Sequence, residues 1–121
     1  MIFGVHSLIY TRQAEAVRAF LRDVLGWSYI DEGGGWLIFA LPPAELGVHP
    51  TDGDSSHELH LMCDDLDATM AELAAKGVEF VGGVAERDYG RVTTIRLPDD
   101  GGQLGLYQPT HPLALERENR A

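Results

Sequence analysis

Apolar and polar positions alternate over residues 3 to 11, with Phe3, Val5 and Ile9 on one side and His6, Leu8 and Tyr10 on the other. That two-residue period predicts a strand. From Gln13 the period lengthens, and Ala16, Val17, Phe20, Leu21, Val24 and Leu25 form a helical stripe that Gly26 closes. Residues 13–25 therefore predict an amphipathic helix. A short strand over Trp27 to Asp31, a Gly33-Gly34-Gly35 turn, a strand over Trp36 to Leu41, a Pro42-Pro43 break and a strand over Glu45 to His49 complete a βαβββ order.

After the polar loop Thr51 to Ser56 the same order returns. His57 to Cys63 alternates as a strand, and Asp65 to Lys76 predicts a helix capped by Asp64 or Asp65 and ended by Gly77. Strands are predicted near Val78 to Val81, Val84 to Arg87, Arg91 to Leu97 and Gln103 to Gln108, the last two joined by a Pro98-Asp99-Asp100-Gly101-Gly102 turn. Two segments nearly repeat: Ala44 to Pro50 and Gln103 to Pro109 share the order polar, Leu, Gly, apolar, aromatic or imidazole, and then Pro, which follows at once in the first and one residue later in the second. One α+β domain built from two βαβββ modules, 1–54 and 55–109, with a polar tail over 110–121, is the organisation this predicts.

Strand parity sorts the chemistry. Val5 and Ile9, Leu46 and Val48, Leu59 and Leu61, and Leu104 and Leu106 share the parity that would meet a helix. The opposite parity carries His6 and Tyr10, Glu45 and His49, Glu58 and His60, and Gln103 and Tyr107. Such a face is either solvated or lines a polar pocket.

At 121 residues and 45% apolar content the chain suffices for one hydrophobic core. It has neither a membrane-length apolar run nor the basic and apolar regions of a secretory signal, so a soluble, cytoplasmic protein is expected. Cys63 is the single cysteine, which excludes an intrachain disulfide and a multi-cysteine zinc site. Nineteen acidic against nine basic residues give a net charge of -10, a field that repels nucleic acid and draws cations. Phosphate-loop, dinucleotide and nucleophile-elbow motifs are absent.

His6, followed fourteen positions later by Phe20 in Phe-Leu-Arg-Asp-Val-Leu-Gly-Trp, resembles the opening of the vicinal oxygen chelate superfamily, which includes glyoxalases, bleomycin-resistance proteins and extradiol dioxygenases. Asp64-Asp65-Leu66-Asp67, Tyr89-Gly90-Arg91, Leu97-Pro98-Asp99 and Leu104-Gly105-Leu106 resemble its second module in order. The resemblance implies curved sheets around a cleft, with helices on the convex side, and a homodimer. In its enzymes a divalent ion sits between the modules, held by first-strand histidines and last-strand glutamates. By that likeness His6 and Glu58 fall on metal-ligand positions, whereas Gly47 and Gly105 stand where the carboxylates would be.

Three functions remain open at this point. The first is metal-free sequestration of a cationic or aromatic small molecule, with Tyr10, Trp36 and Tyr107 as stacking surfaces and Glu45, Glu58 and His49 as polar partners. The second is a metal-dependent lyase, isomerase or dioxygenase, in which His6, Glu58 and either His49 or His60 would complete the ligand set and Glu58 would move a proton. The third is metal-free acid–base catalysis by Glu58 and His60 beside His6. No cofactor is expected under the first and third, and no nucleic-acid or membrane partner under any.

Overall fold

The second half folds as its pattern predicts. A computed structural model describes residues 6–48, 50–54 and 56–114. Its order there is β3 (His60–Met62), α2 (Leu66–Ala75), β4 (Glu79–Arg87), β5 (Gly90–Arg96), a 3-10 turn (Pro98–Asp100) and β6 (Gln103–Pro109). The helix starts where its caps permit: Asp65 Oδ1 accepts the Ala68 N–H at 3.0 Å, and Gln108 Oε1 accepts the Leu66 N–H at 2.8 Å. The four strands form one sheet in the order β3-β6-β5-β4, with β3 and β6 parallel and the other pairs antiparallel. Where two short strands are predicted between 78 and 87, one strand runs through. A register shift between Val81 and Ala85 absorbs Gly82 and Gly83 as a bulge.

In the first half, α1 (Ala14–Ala19) continues as a π-helical turn, Phe20–Val24, in which the Leu25 N–H reaches Phe20 O at 3.2 Å. The helical stripe is thus real but changes pitch midway, and Phe20 and Leu21 are both buried there. β1 (Tyr29–Asp31) and β2 (Leu37–Phe39) pair as an antiparallel hairpin. Its turn runs through three glycines with φ of 124°, 63° and 84°, which side chains resist, and Asp31 Oδ1 accepts the Gly33 N–H at 2.8 Å.

The outer strands predicted for this half differ. Among the described residues, 6–11 and 45–48 form no ladder, and Leu8, Tyr10, Leu46 and Val48 are 59%, 90%, 89% and 92% exposed. Alternation states which side of a strand would be buried; it does not supply the neighbouring backbone that a ladder requires. The remaining residues of those predicted strands, 3–5 and His49, lie outside the described residues, as does the tail beyond residue 114.

One core joins the halves. Val17, Phe20 and Leu21 from the first helix meet Leu66 and Leu73 of α2 and Ile95, Leu97, Leu104 and Leu106 of the sheet. Leu66 and Ile95 are fully buried, each contributing about 1.5–3 kcal/mol by removal from water. Leu59, Leu61 and Cys63 pack on the same side. Residues of the other parity consequently rise from the open face.

Candidate functional site on the open face of the sheet

Ladder register lays the open face out in two rows. His60, Gly105, Thr94 and Val81 lie side by side across β3, β6, β5 and β4, and Met62, Tyr107, Val92 and Ala85 form the row beside them. Gly105 leaves a notch in the first row, and the His60 imidazole leans into it. A Cβ placed on Gly105 would lie 1.8 Å from His60 Nδ1. The other ring nitrogen, Nε2, is 2.8 Å from Glu58 Oε2, so the carboxylate orients the ring. Glu58 itself precedes β3, shares the parity of His60, and is 75% exposed.

Tyr107 is the centre of the cluster. The His60 ring meets it edge-on, with centroids 6.0 Å apart, and Tyr89 from the β4–β5 turn does so at 6.2 Å. Burial, then the negative charge of Glu45, then Tyr89, push the Tyr107 phenol above its ordinary range, so it stays a neutral hydroxyl. Its oxygen lies 3.3 Å from His111 Nε2. His111 Nδ1 is 2.9 Å from the Pro112 carbonyl, which can only accept, so Nδ1 carries the proton. In the neutral ring Nε2 therefore accepts the Tyr107 O–H.

Glu45 closes the cluster from the first half of the chain. Its Oε2 accepts the Ala114 N–H at 2.8 Å, Oε1 lies 3.9 Å from His111 Nε2, and the side chain is only 16% exposed. Below the sheet, Cys63 Sγ is 3.6 Å from the Tyr107 carbonyl, and burial pushes its thiol up.

Four of the residues singled out by sequence, Glu45, Glu58, His60 and Tyr107, come together here. Others do not join them. Trp36, on the hairpin, holds the Arg18 guanidinium 5.2 Å from its ring centroid, while His6 and Tyr10 are exposed and His49 lies outside the described residues. The two repeat glycines also part company. Gly47 faces open space, whereas the place of a side chain on Gly105 is taken by His60.

Strand parity points to neither His111 nor Tyr89. His111 falls in the polar tail, but its position four residues after Tyr107, between Pro109 and Pro112, is a signal that the backbone there is restrained. Tyr89 sits in a turn, and strand parity says nothing about turns.

Among the described residues no three His, Cys, Asp or Glu side chains stand close enough to hold a metal ion together. The Glu58–His60 pair faces Gly105 across the ladder, and a firmly held ion needs more donors than that pair supplies. A separate groove of about 590 Å³ lies between α1 and the far end of the sheet, touched by Phe20, Lys76, Glu79 and Arg96. None of the sequence-predicted site residues lines it. No helix among the described residues is long and apolar enough to cross a membrane.

The Glyoxalase/Bleomycin resistance protein/Dioxygenase superfamily profile matches residues 5–104, and the chain belongs to that superfamily. Among solved structures it is similar to TnmS3, an antibiotic binding protein from Streptomyces sp. CB03234. The two are 27% identical with a TM-score of 0.62, over 91% of this chain and 99% of that one. A glyoxalase/bleomycin resistance protein from the same organism is also 27% identical, with a TM-score of 0.54 over 83% of this chain and 95% of the other. The lactoylglutathione lyase of Agrobacterium tumefaciens, 16% identical with a TM-score of 0.60 over 87% of this chain and 92% of its own, shares the fold. No curated protein matches the sequence.

Proposed function

We propose that this chain binds a cationic or aromatic small molecule, of the kind represented by antibiotics, on the open face of its second-half sheet. The observation that carries the reading is the cluster itself: two tyrosine rings and two imidazoles around a half-buried carboxylate, Glu45, above an apolar floor of Val81, Ala85 and Val92. Aromatic edges and faces supply area, and a partly desolvated carboxylate attracts a cation more strongly than an exposed one. The net charge of -10 would speed the encounter. Likeness to an antibiotic binding protein over nearly the full length of both chains supports the same reading. It requires no metal ion.

Titration calorimetry with a panel of cationic aromatic antibiotics tests this. Micromolar binding that weakens several-fold with added salt, and about tenfold in Glu45→Gln or Tyr107→Ala, is the expected result. Binding that ignores salt and both substitutions would overturn it.

The working form in this reading is a homodimer. Leu8, Tyr10, Leu46 and Val48 are apolar or aromatic, exposed, and on segments whose pattern is that of strands, so a second copy would supply the missing ladder partners. Sedimentation at micromolar concentration should give twice the chain mass; the monomer mass would dismiss the dimer.

A further inference from the structure

Hydrogen-bond direction around Tyr107 is fixed group by group, and the fixed groups end as acceptors. A carboxylate can only accept, so His60 gives its Nε2 proton to Glu58 Oε2 at 2.8 Å, and its Nδ1 is turned into the Gly105 notch. Neither ring nitrogen is left to donate to a molecule above the sheet. Thr110, pinned to Tyr89 O at 3.0 Å and to Asp88 O at 3.1 Å, sets His111 over Tyr107. The Pro112 carbonyl takes the Nδ1 proton of that ring, so the Tyr107 hydroxyl spends its own proton on Nε2 at 3.3 Å. What the phenol oxygen offers outward is lone pairs. Glu45 adds more of them: the Ala114 N–H holds Oε2 at 2.8 Å, while Oε1, 3.9 Å from His111 Nε2, is beyond hydrogen-bond reach of that ring.

We infer that the Tyr107 oxygen, with Glu45 beside it, makes this site select cations that carry N–H bonds, protonated amines and amidinium groups, over quaternary ammonium ions. The inference rests on the open-face binding site proposed above and names the chemical class of its ligand. Aromatic rings alone do not make that choice, because a ring face attracts a quaternary ammonium ion as it does any other cation. Lone pairs do. An N-methyl group set against Tyr107 or Glu45 displaces water from an acceptor and returns no hydrogen bond, and at a sheltered oxygen that loss weakens binding. Glu45 is such an oxygen donor set, with its side chain only 16% exposed. The hydroxyls of Thr94 and Tyr89, on the neighbouring strand and turn, rotate to accept or donate, so they leave the choice to the fixed groups.

Titration of the full chain at pH 8.0 with benzylamine and with benzyltrimethylammonium, followed by amide chemical shifts, tests the selectivity. The two probes share one ring and one positive charge and differ in their N–H bonds. Benzylamine should bind about tenfold more tightly. Tyr107→Phe, which keeps the ring and removes the oxygen, should weaken benzylamine several-fold and leave benzyltrimethylammonium unchanged. Equal affinities, or tighter binding of the quaternary ion, would overturn the selectivity and leave the open-face site standing. A tenfold preference that survives intact in Tyr107→Phe would also overturn it, since the assigned acceptor would then not be making the choice. Binding of neither probe would defeat the open-face site itself, and the selectivity with it.

Discussion

Replacing Gly105 by alanine tests the geometry at the centre of the open face. The added Cβ would meet His60 Nδ1 at 1.8 Å, Cε1 at 2.5 Å and Cγ at 2.7 Å, where ordinary contact begins near 3.4 Å. The ring must therefore retreat by about 1.6 Å, more than bond-angle adjustment provides, so χ1 has to change. His60 is 41% exposed on its side chain and has solvent to turn into. What it loses is the Glu58 contact, an exposed pair contributing about 0–1 kcal/mol, and the edge-on meeting with Tyr107, about 0.5–1.5 kcal/mol. Removing a glycine from a strand returns about 0.5–1 kcal/mol. The net cost should lie between about -0.5 and +2 kcal/mol, with the fold intact. A urea-unfolding double-mutant cycle isolates the clash: Gly105→Ala in a His60→Ala background should be neutral or stabilising, giving a coupling of about 1–2 kcal/mol. In parallel, the His60 imidazole resonances should shift toward those of an exposed histidine. Equal cost in both backgrounds would show that the ring does not occupy the notch.

Two further outcomes follow from the core and the phenol. Leu66, fully buried where α2 meets the sheet, should cost about 2–5 kcal/mol on truncation to alanine, measured by denaturant unfolding; a cost below 1 kcal/mol would contradict its place in the core. Tyr107 should titrate above the ordinary phenol range in an ultraviolet pH scan, and that late step should vanish in Tyr107→Phe. Because its folded value is raised, the unfolded chain gives up this proton first. Stability should thus fall as the pH rises from the ordinary phenol range through the raised value, and the fall should be smaller in Tyr107→Phe.

Most of the second half was legible in sequence because its signals are local and mutually consistent. Asp65 and Gly77 bracket the helix, and the Pro98-to-Gly102 turn separates two alternating runs. The parity of Leu59, Leu61, Leu104 and Leu106 assigns the buried face. The first half was harder. Alternation in residues 6–11 and 45–48 specifies an apolar side, yet pairing depends on a backbone that the sequence of the segment does not encode. The site was partly legible for the same reason. Strand parity placed Glu45, Glu58, His60 and Tyr107 on one side, although Glu45 reaches the others from a segment outside any ladder; His111 and Tyr89 meet them through loop and turn paths that no period describes. The sequence likewise equated Gly47 with Gly105, and only the side-chain packing tells an empty position from an occupied one.

The place of β6 between β3 and β5 bears on how this sheet comes into being. During synthesis β6 is the last of its strands to emerge, yet two of the sheet's three ladders wait for it. Until then β3 has no neighbour and the β4–β5 hairpin presents an open edge beside the apolar Ile95 and Leu97. The nascent chain therefore spends its most aggregation-prone interval with all but one strand of this sheet already made. Premature termination before Gln103 should yield an insoluble product and not a smaller domain.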